Sequence, residues 1–327
     1  MKKKILITGA NGFVGYHLLK AALSEGIEVY AGVREKSDIS HLNNLDVQFS
    51  YLQYSRPDSL ARDFKKNKYD FIIHAAGVTK ASDYETYERI NTEYTLNIAK
   101  AAQTINPQKI VFISSLAALG PAKYNEEDGL LEGRNPKPVT QYGKSKLLAE
   151  NYIKKNSDLN WVIIRPTAVY GPRERDLLIL IKTINKGLEV FLGKNHQILS
   201  FIHVQDLADV VIKACLSEKV KECYHISDGN KYDAKKLSDI ISKELKKKTF
   251  KITIPISVIK VLAGILEWFS RGKPSILNKD KVSELIAENW YCNIEKAQQE
   301  LAFQPQYNLQ EGMKNTIEWY KINKWIN

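Results

Sequence analysis

The stretch "KILITGANGFVG" (4–15) constrains this chain more than any other. A run of aliphatic residues, "KILIT" (4–8), passes without a linker into "TGANGFVG" (8–15), and the helical pattern "FVGYHLLKAALSEG" follows at once. This reads as a buried strand turning straight into a helix through three glycines. Gly9, Gly12 and Gly15 permit a tight turn, close backbone approach to a diphosphate, and close packing of helix on strand. The helix start then offers free N–H groups and the positive end of its dipole to phosphates. A plain tight turn is the alternative, and the surrounding unit decides between them.

The alternation continues. Apolar runs at 27–33, 47–52, 70–76, 109–115 and 161–167 read as strands, separated by helical stretches such as "PDSLARDFKK", "ETYERINTEYTLNIAKAAQ" and "YGKSKLLAENYIKK". Continuous apolar strands between helices of this length predict a parallel sheet covered on both faces, a doubly wound α/β domain. That domain is expected over 1–172, with strand and helix returns near 198–227. Residues 173–327 are expected to form mainly a smaller, helical, substrate-binding lid. There the pattern loosens, with strands at 198–204, 223–227 and 250–254 and helices at 205–217, 234–247, 256–270, 293–302 and 308–322.

The net charge is +11, but the lysines are spread over many helices rather than gathered in one stripe. A solvated basic surface accounts for most of that charge, and an anionic ligand suits it. Nucleic acid is not expected as a partner. The basic start precedes an apolar run far too short for a signal peptide. The most apolar stretch, 252–269, is interrupted by Pro255, Lys260 and Glu267, so no spanning helix is expected. Cys215, Cys223 and Cys292 lack CxxC spacing and read as reduced thiols of a cytoplasmic protein. His203 and His225 sit in apolar strands as structural residues. No His/Cys/Asp cluster has metal-ligand spacing, so no metal is expected.

Two short segments carry the chemistry. The second strand ends "AGVREKS", with Val33 where a ribose-binding carboxylate would stand, then Arg34, Lys36 and Ser37. An arginine there suits a 2′-phosphate, which favours NADP(H) with NAD as second choice; an exposed surface arginine is the alternative. In "TQYGKSK" (140–146), Tyr142 and Lys146 share one helix face. An ammonium beside the phenol would favour the phenolate and bring its pKa toward the working range of a proton-transfer group. A solvated pair is the alternative.

Together with these, "HAAGVT" (74–79), "RINTEYTLNIAKAA" (89–102), "FISSLAALG" (112–120), "RPTAVYGP" (165–172), "FIHVQDLADVV" (201–211) and the ending "NIEKAQQELAFQPQYNLQEGMKNTIEWY" resemble the extended short-chain dehydrogenases/reductases, or NAD-dependent epimerase/dehydratase family. The resemblance implies a Rossmann fold and an NAD(P)-dependent enzyme. It assigns catalysis to Ser115, Tyr142 and Lys146. Tyr142 is the acid/base, Lys146 tunes it and holds the nicotinamide ribose, and Ser115 orients the reacting oxygen. Cofactor contacts fall on Gly9, Asn11, Gly12, Phe13, Val14, Gly15, Arg34, Ser37, Ala75, Ala76, Gly77, Tyr142, Lys146 and Pro166. Asn91 is either a further contributor or a packing amide.

Departures bear on the substrate. Ala168 stands where nucleotide-sugar members carry a diphosphate-binding asparagine, and Gln53 lies near the position of the usual aspartate beside adenine. "RPTAVYGP" looks more like the branch acting on steroids, flavonoids and other lipid-like molecules. The expected activity is therefore hydride transfer between a nicotinamide cofactor and a secondary alcohol or ketone, on a small-molecule substrate, with an apolar one as an option. A nucleotide-sugar epimerase or dehydratase is the alternative reading, and a non-catalytic NADP-sensing protein a third. Leu116 and Ala117 after Ser115 disfavour dehydration. A homodimer stays open, as does the choice for 256–270 between core helix, pocket lining and peripheral membrane contact.

Overall fold

Strands with apolar residues on both faces need cover on both faces, and β1 (Lys4–Thr8) shows how this is met. In the computed structural model, which describes residues 2–155, 158–193, 197–259, 261 and 279–327, Ile5 and Ile7 enter one core. They share it with Leu18, Leu19 and Ala22 of α1 (Phe13–Ser24), and with residues 207, 210 and 211 of a later helix. Leu6, between them, joins the opposite core. That core includes Leu60 and Phe64 of α2 (Pro57–Asn67), and Ile98 and Ala99 from the long helical stretch 84–103. Each such side chain contributes roughly 1.5–3 kcal/mol by leaving water.

Seven parallel strands make the sheet: β1, β2 (Glu28–Val33), β3 (Gln48–Tyr51), β4 (Phe71–His74), β5 (Lys109–Ile113), β6 (Trp161–Pro166) and a last strand at Glu222–Ile226. Their spatial order is β3–β2–β1–β4–β5–β6 and then Glu222–Ile226. The chain runs outward from β1 to β3, then crosses to β4 on β1's other side. Where the direction of winding reverses, a crevice opens beyond the carboxyl ends of the strands. The glycine turn after β1 and the loop after β4 border it.

The second half adds two short parallel pairs. One joins β7 (Ala168–Tyr170) to β9 (Phe201–His203), and the other joins β8 (Leu188–Leu192) to β11 (Phe250–Ile254); Glu222–Ile226 is β10. A third core gathers Tyr170, Ile181, Ile184, Phe201, Ile241, Met313, Ile317 and Tyr320.

The helices are α3 (Tyr84–Tyr87), α4 (Tyr94–Gln103), α5 (Gln141–Lys155), α6 (Asp176–Asn185), α7 (Val204–Leu216), α8 (Ala234–Leu245), α9 (Lys279–Leu285), α10 (Glu295–Leu301) and α11 (Leu309–Ile322). A π-helical turn over Glu88–Glu93 joins α3 to α4.

β7, β8, α6 and α9 have no counterpart in the sequence reading. The strand expected at 198–204 shrinks to 201–203, because Ile198 and Leu199 make only isolated bridges, to Asn289 and Tyr232. Of the helix expected at 256–270, residues 256–259 and 261 are helical, and the rest lies outside the described residues. Among the described residues no helix is long and apolar enough to cross a membrane.

Candidate active site

Tyr142 and Lys146 stand one turn apart on α5, and the start of that helix is fixed from three sides. Thr140 Oγ1 accepts from Gly143 N at 2.9 Å. The Asp280 carboxylate accepts from Gln141 N and Tyr142 N at 2.7 and 3.2 Å. Gly143 lets the helix seat on residues 116–118, since a Cβ there would lie 2.2 Å from the Ala117 carbonyl oxygen. This seating brings the Tyr142 phenol to the Ser115 side chain. Ser115 itself begins a 3-10 turn, with its Oγ accepting from Ala117 N at 3.1 Å.

The electrostatics differ from the sequence expectation. Burial pushes the Tyr142 phenol up to about 12, with the Ser115 hydrogen bond opposing and the charge of Glu284 adding to the rise. Lys146 does not hold it down, because its ammonium is turned to β5. There Nζ donates to Ile113 O at 2.7 Å and lies 4.6 Å from the Phe112 ring centroid. Burial lowers Lys146 to about 8, and Glu150, one turn on, works against that fall. At neutral pH the pair is therefore a phenol beside an ammonium.

Asn91 sits on the π-helical turn, and its side-chain amide is used in packing contacts. Its Oδ1 accepts from Val78 N at 2.8 Å, and its Nδ2 donates to Val78 O and Ser145 Oγ, both at 3.0 Å. It ties the loop after β4 to α5. A Cβ on Gly77 would lie 3.0 Å from Asn91 Oδ1 and 3.5 Å from Lys146 Nζ.

Beneath these groups runs a buried network that the sequence reading did not assign. Ser114 Oγ donates to Glu150 Oε1 at 2.6 Å. Arg165 of β6 grips the same carboxylate through Nε at 2.9 Å and Nη2 at 2.6 Å. His225 Nδ1 lies 3.1 Å from Leu130 O, and its Nε2 3.5 Å from Arg165 Nη1. The available signal was spacing: Tyr142, Lys146 and Glu150 follow one another at four-residue steps along α5.

The nucleotide end is a cradle. Gly9 has φ +67°, and a Cβ on it would lie 2.8 Å from Ala76 N. A Cβ on Gly15 would lie 2.1 Å from Gly9 O, so the helix packs where only glycine fits. Gly12 differs: it is exposed, and its Cβ would meet only Gly9 O, at 3.2 Å. Asn11, Phe13 and Val14 are partly buried around it, and α1 starts at Gly12 with no side-chain cap, leaving its first N–H groups for another partner. Ala75, Ala76 and Gly77 form the facing wall. Pro166 ends β6, buried in the sheet two strands away.

At the tip of β2, Val33 is buried and Arg34 exposed. Ser37 N donates to Arg34 O at 2.9 Å, which folds Ser37 back toward Arg34. Ser37 Oγ and His41 Nε2 are shielded from solvent and have no hydrogen-bond partner. Tyr54 stacks on Tyr94 with ring centroids 5.7 Å apart; burial pushes its phenol up to about 12, and the Gly9 backbone, Thr8 and Arg34 oppose the rise. A glycine cradle, an uncapped helix start and unpaired buried donors fit a dinucleotide phosphate cofactor.

A model of the NAD dependent epimerase/dehydratase family matches residues 5–227. The chain belongs to that family. Its relatives include a UDP-glucose 4-epimerase of Vibrio cholerae, 26% identical with 97% of this chain and 95% of the relative covered. A ceramide reductase of Caulobacter vibrioides is 24% identical, over 98% of this chain and 96% of its own. The fold also matches a solved UDP-glucuronic acid 4-epimerase from Bacillus cereus in complex with NAD, with TM-score 0.77, 23% identity and coverage of 98% and 99%. As a member of this family the chain is an enzyme of the extended short-chain dehydrogenase/reductase type.

Proposed function

We propose that this family member is an oxidoreductase that moves hydride between a nicotinamide cofactor, NADP(H) in preference to NAD(H), and a secondary alcohol or ketone. The observation that carries the reading is the Tyr142 phenol, held at Ser115 on one side and one helical turn from the Lys146 ammonium on the other. A bound nicotinamide would supply or accept the hydride. Tyr142 Oη, protonated at neutral pH, gives its proton to a substrate carbonyl oxygen during reduction and takes it back in the reverse direction. Ser115 Oγ donates a hydrogen bond to that same oxygen and orients it. Lys146, anchored on Ile113 O, places an ammonium beside Gly77 of the loop 75–77, where it would hold the ribose of a bound cofactor.

Arg34 supports the NADP preference: it is exposed at the tip of β2 behind a buried valine, with the unpaired Ser37 hydroxyl folded back toward it. Ala168, exposed on β7, offers no side-chain hydrogen bond to a substrate diphosphate, and the ceramide reductase relative acts on a lipid. Nucleotide-sugar epimerisation is the second reading, favoured by the epimerase relative and by the epimerase fold likeness.

The test follows NADPH and NADH absorbance against panels of ketones, steroids and nucleotide sugars. Turnover of a ketone or alcohol is expected, falling ~10²–10⁴-fold in Tyr142→Phe. Arg34→Ala is expected to remove a roughly ten- to hundredfold preference for NADP, the value of one charge-assisted bond of about 1.5–3 kcal/mol. Epimerisation without net cofactor consumption would select the second reading, and full turnover by Tyr142→Phe would remove both.

A further inference from the structure

We infer that Arg173 and His41, both packed on Tyr16 of the first helix, form an anion subsite that receives the diphosphate of the dinucleotide cofactor. The inference rests on the nicotinamide-cofactor reading above and adds two residues to it, one from beyond β7.

Arg173 is held in an unusual backbone state for a purpose its own neighbours do not explain. It has φ +78°, in the left-handed region that side chains other than glycine rarely occupy. The preceding residue is pinned to α1, where His17 Nε2 lies 3.0 Å from Pro172 O. From there the Arg173 guanidinium reaches over the Tyr16 ring, 4.3 Å from its centroid. Among the described residues no carboxylate lies within ion-pair distance of it. The carboxylate next to it in sequence, Glu174, is turned away and accepts from Asp176 N and Leu177 N of α6.

His41 comes to the same ring from the loop after β2, its centroid 6.0 Å from that of Tyr16. Its Nε2 is shielded and unpartnered. Burial and then Arg173 lower the basicity of its ring, Asp38 and a hydrogen bond with the Asn11 backbone in the glycine turn oppose them, and Arg175 adds to the fall. His17, next to Tyr16 on α1, is brought down to about 4 by burial, with the Pro172 carbonyl opposing and Lys20 and Arg173 adding to the fall. Arg173 and Arg175 thus act on His41 together with Asp38, and Arg173 and Lys20 act on His17, beside the uncapped start of α1. An uncompensated positive region with an unpaired buried donor is what an anion completes. A diphosphate seated on the glycine turn would bring acceptors to the arginine and the imidazole together.

The experiment titrates the full chain with NADPH and with adenosine 2′-monophosphate, which keeps the 2′-phosphate but has no 5′-phosphate and so no part of the diphosphate. The variants are Arg173→Gly, which suits the left-handed backbone and so preserves the fold, His41→Ala, and Arg34→Ala as a contrast. Arg173→Gly is expected to weaken NADPH roughly ten- to hundredfold and to leave the 2′-monophosphate unchanged. His41→Ala is expected to act in the same direction and less strongly. Arg34→Ala should weaken both ligands. Unchanged NADPH affinity in Arg173→Gly, or an equal loss for both ligands, overturns the subsite while leaving the cofactor reading intact. A wild type that binds neither NADPH nor NADH overturns the cofactor reading and the subsite with it.

Discussion

At the Tyr142 end of the crevice, Lys146 is spent on the Ile113 carbonyl, Asn91 on Val78 and Ser145, and Ser114 and Arg165 on Glu150. At the Arg34 end the arginine is exposed, while Ser37 Oγ and His41 Nε2 have no protein partner. Both ends border the same sheet edge, yet only the first is finished by the chain itself. The reacting groups need fixed geometry before substrate arrives, because a displaced acid or hydrogen-bond donor costs rate directly. Recognition of a phosphate needs instead donors left free for it. A fold can combine the two, provided the finished end is anchored in the core and the unfinished end lies at the rim.

The comparison breaks most readily at the finished end. Arg165→Met leaves the Glu150 carboxylate buried without its bidentate partner, and the expected loss is about 3–5 kcal/mol of folding stability, read from denaturant unfolding. A loss below 1 kcal/mol would mean that Lys154, 3.4 Å from Glu150, is enough to hold the charge. A smaller effect of a different kind is expected at the cradle. Gly12 is exposed and a Cβ there would meet only Gly9 O, at 3.2 Å, so Gly12→Leu should fold with little loss of stability yet weaken cofactor roughly ten- to hundredfold by filling the phosphate's place, about 1.4–2.8 kcal/mol. Equal cofactor affinity in a folded Gly12→Leu protein would remove the turn from the binding site.

The last effect is small per pH unit and concerns acid. His74, between Thr8 Oγ1 at 2.7 Å and Thr95 Oγ1 at 2.9 Å, is held down to about 3 by burial, with the Lys146 charge adding to the fall. Between about 6.5 and 3 the unfolded chain binds a proton that the folded His74 refuses. Its contribution is therefore complete above pH 6.5 and is lost on acidification, at about 1.4 kcal/mol per pH unit. His74→Gln should flatten the stability-against-pH curve in that window by this slope. An unchanged slope would mean that His74 takes up its proton in the folded state.

The sheet, the glycine turn and the helix that carries Tyr142 and Lys146 were legible because each depends on local periodicity or spacing: apolar runs for strands, four-residue steps for the helix, glycines for the turn; Ser115 came only through the family resemblance. Gly143 and Thr140, which seat α5, lie inside the same short motif. Glu150 was readable from its step along the helix, but its partner Arg165 comes from the next strand, and nothing in sequence announces that the pair is buried. Arg173 and His41 were invisible for a related reason. A left-handed arginine has no residue-level signature, and a lone histidine in a loop gains meaning only from what packs on Tyr16. β7 and β8 were missed because runs of three and five residues, each paired with a strand far along the chain, carry too little pattern.

The π-helical turn at Glu88–Glu93 makes chain length a constraint in its own right. Such a turn carries one residue more than an α-helical path of the same height, and each residue rotates an α-helix by about 100°. Deleting a single residue there would leave two outcomes. Either Asn91 swings off the Val78 loop, or Ile98 and Ala99 swing out of the core they share with Leu60 and Phe64. A homologous chain cannot shorten this helix and keep both contacts. An alignment that opens a gap between 88 and 93 therefore misassigns either the loop beside Lys146 or the sheet's covering layer.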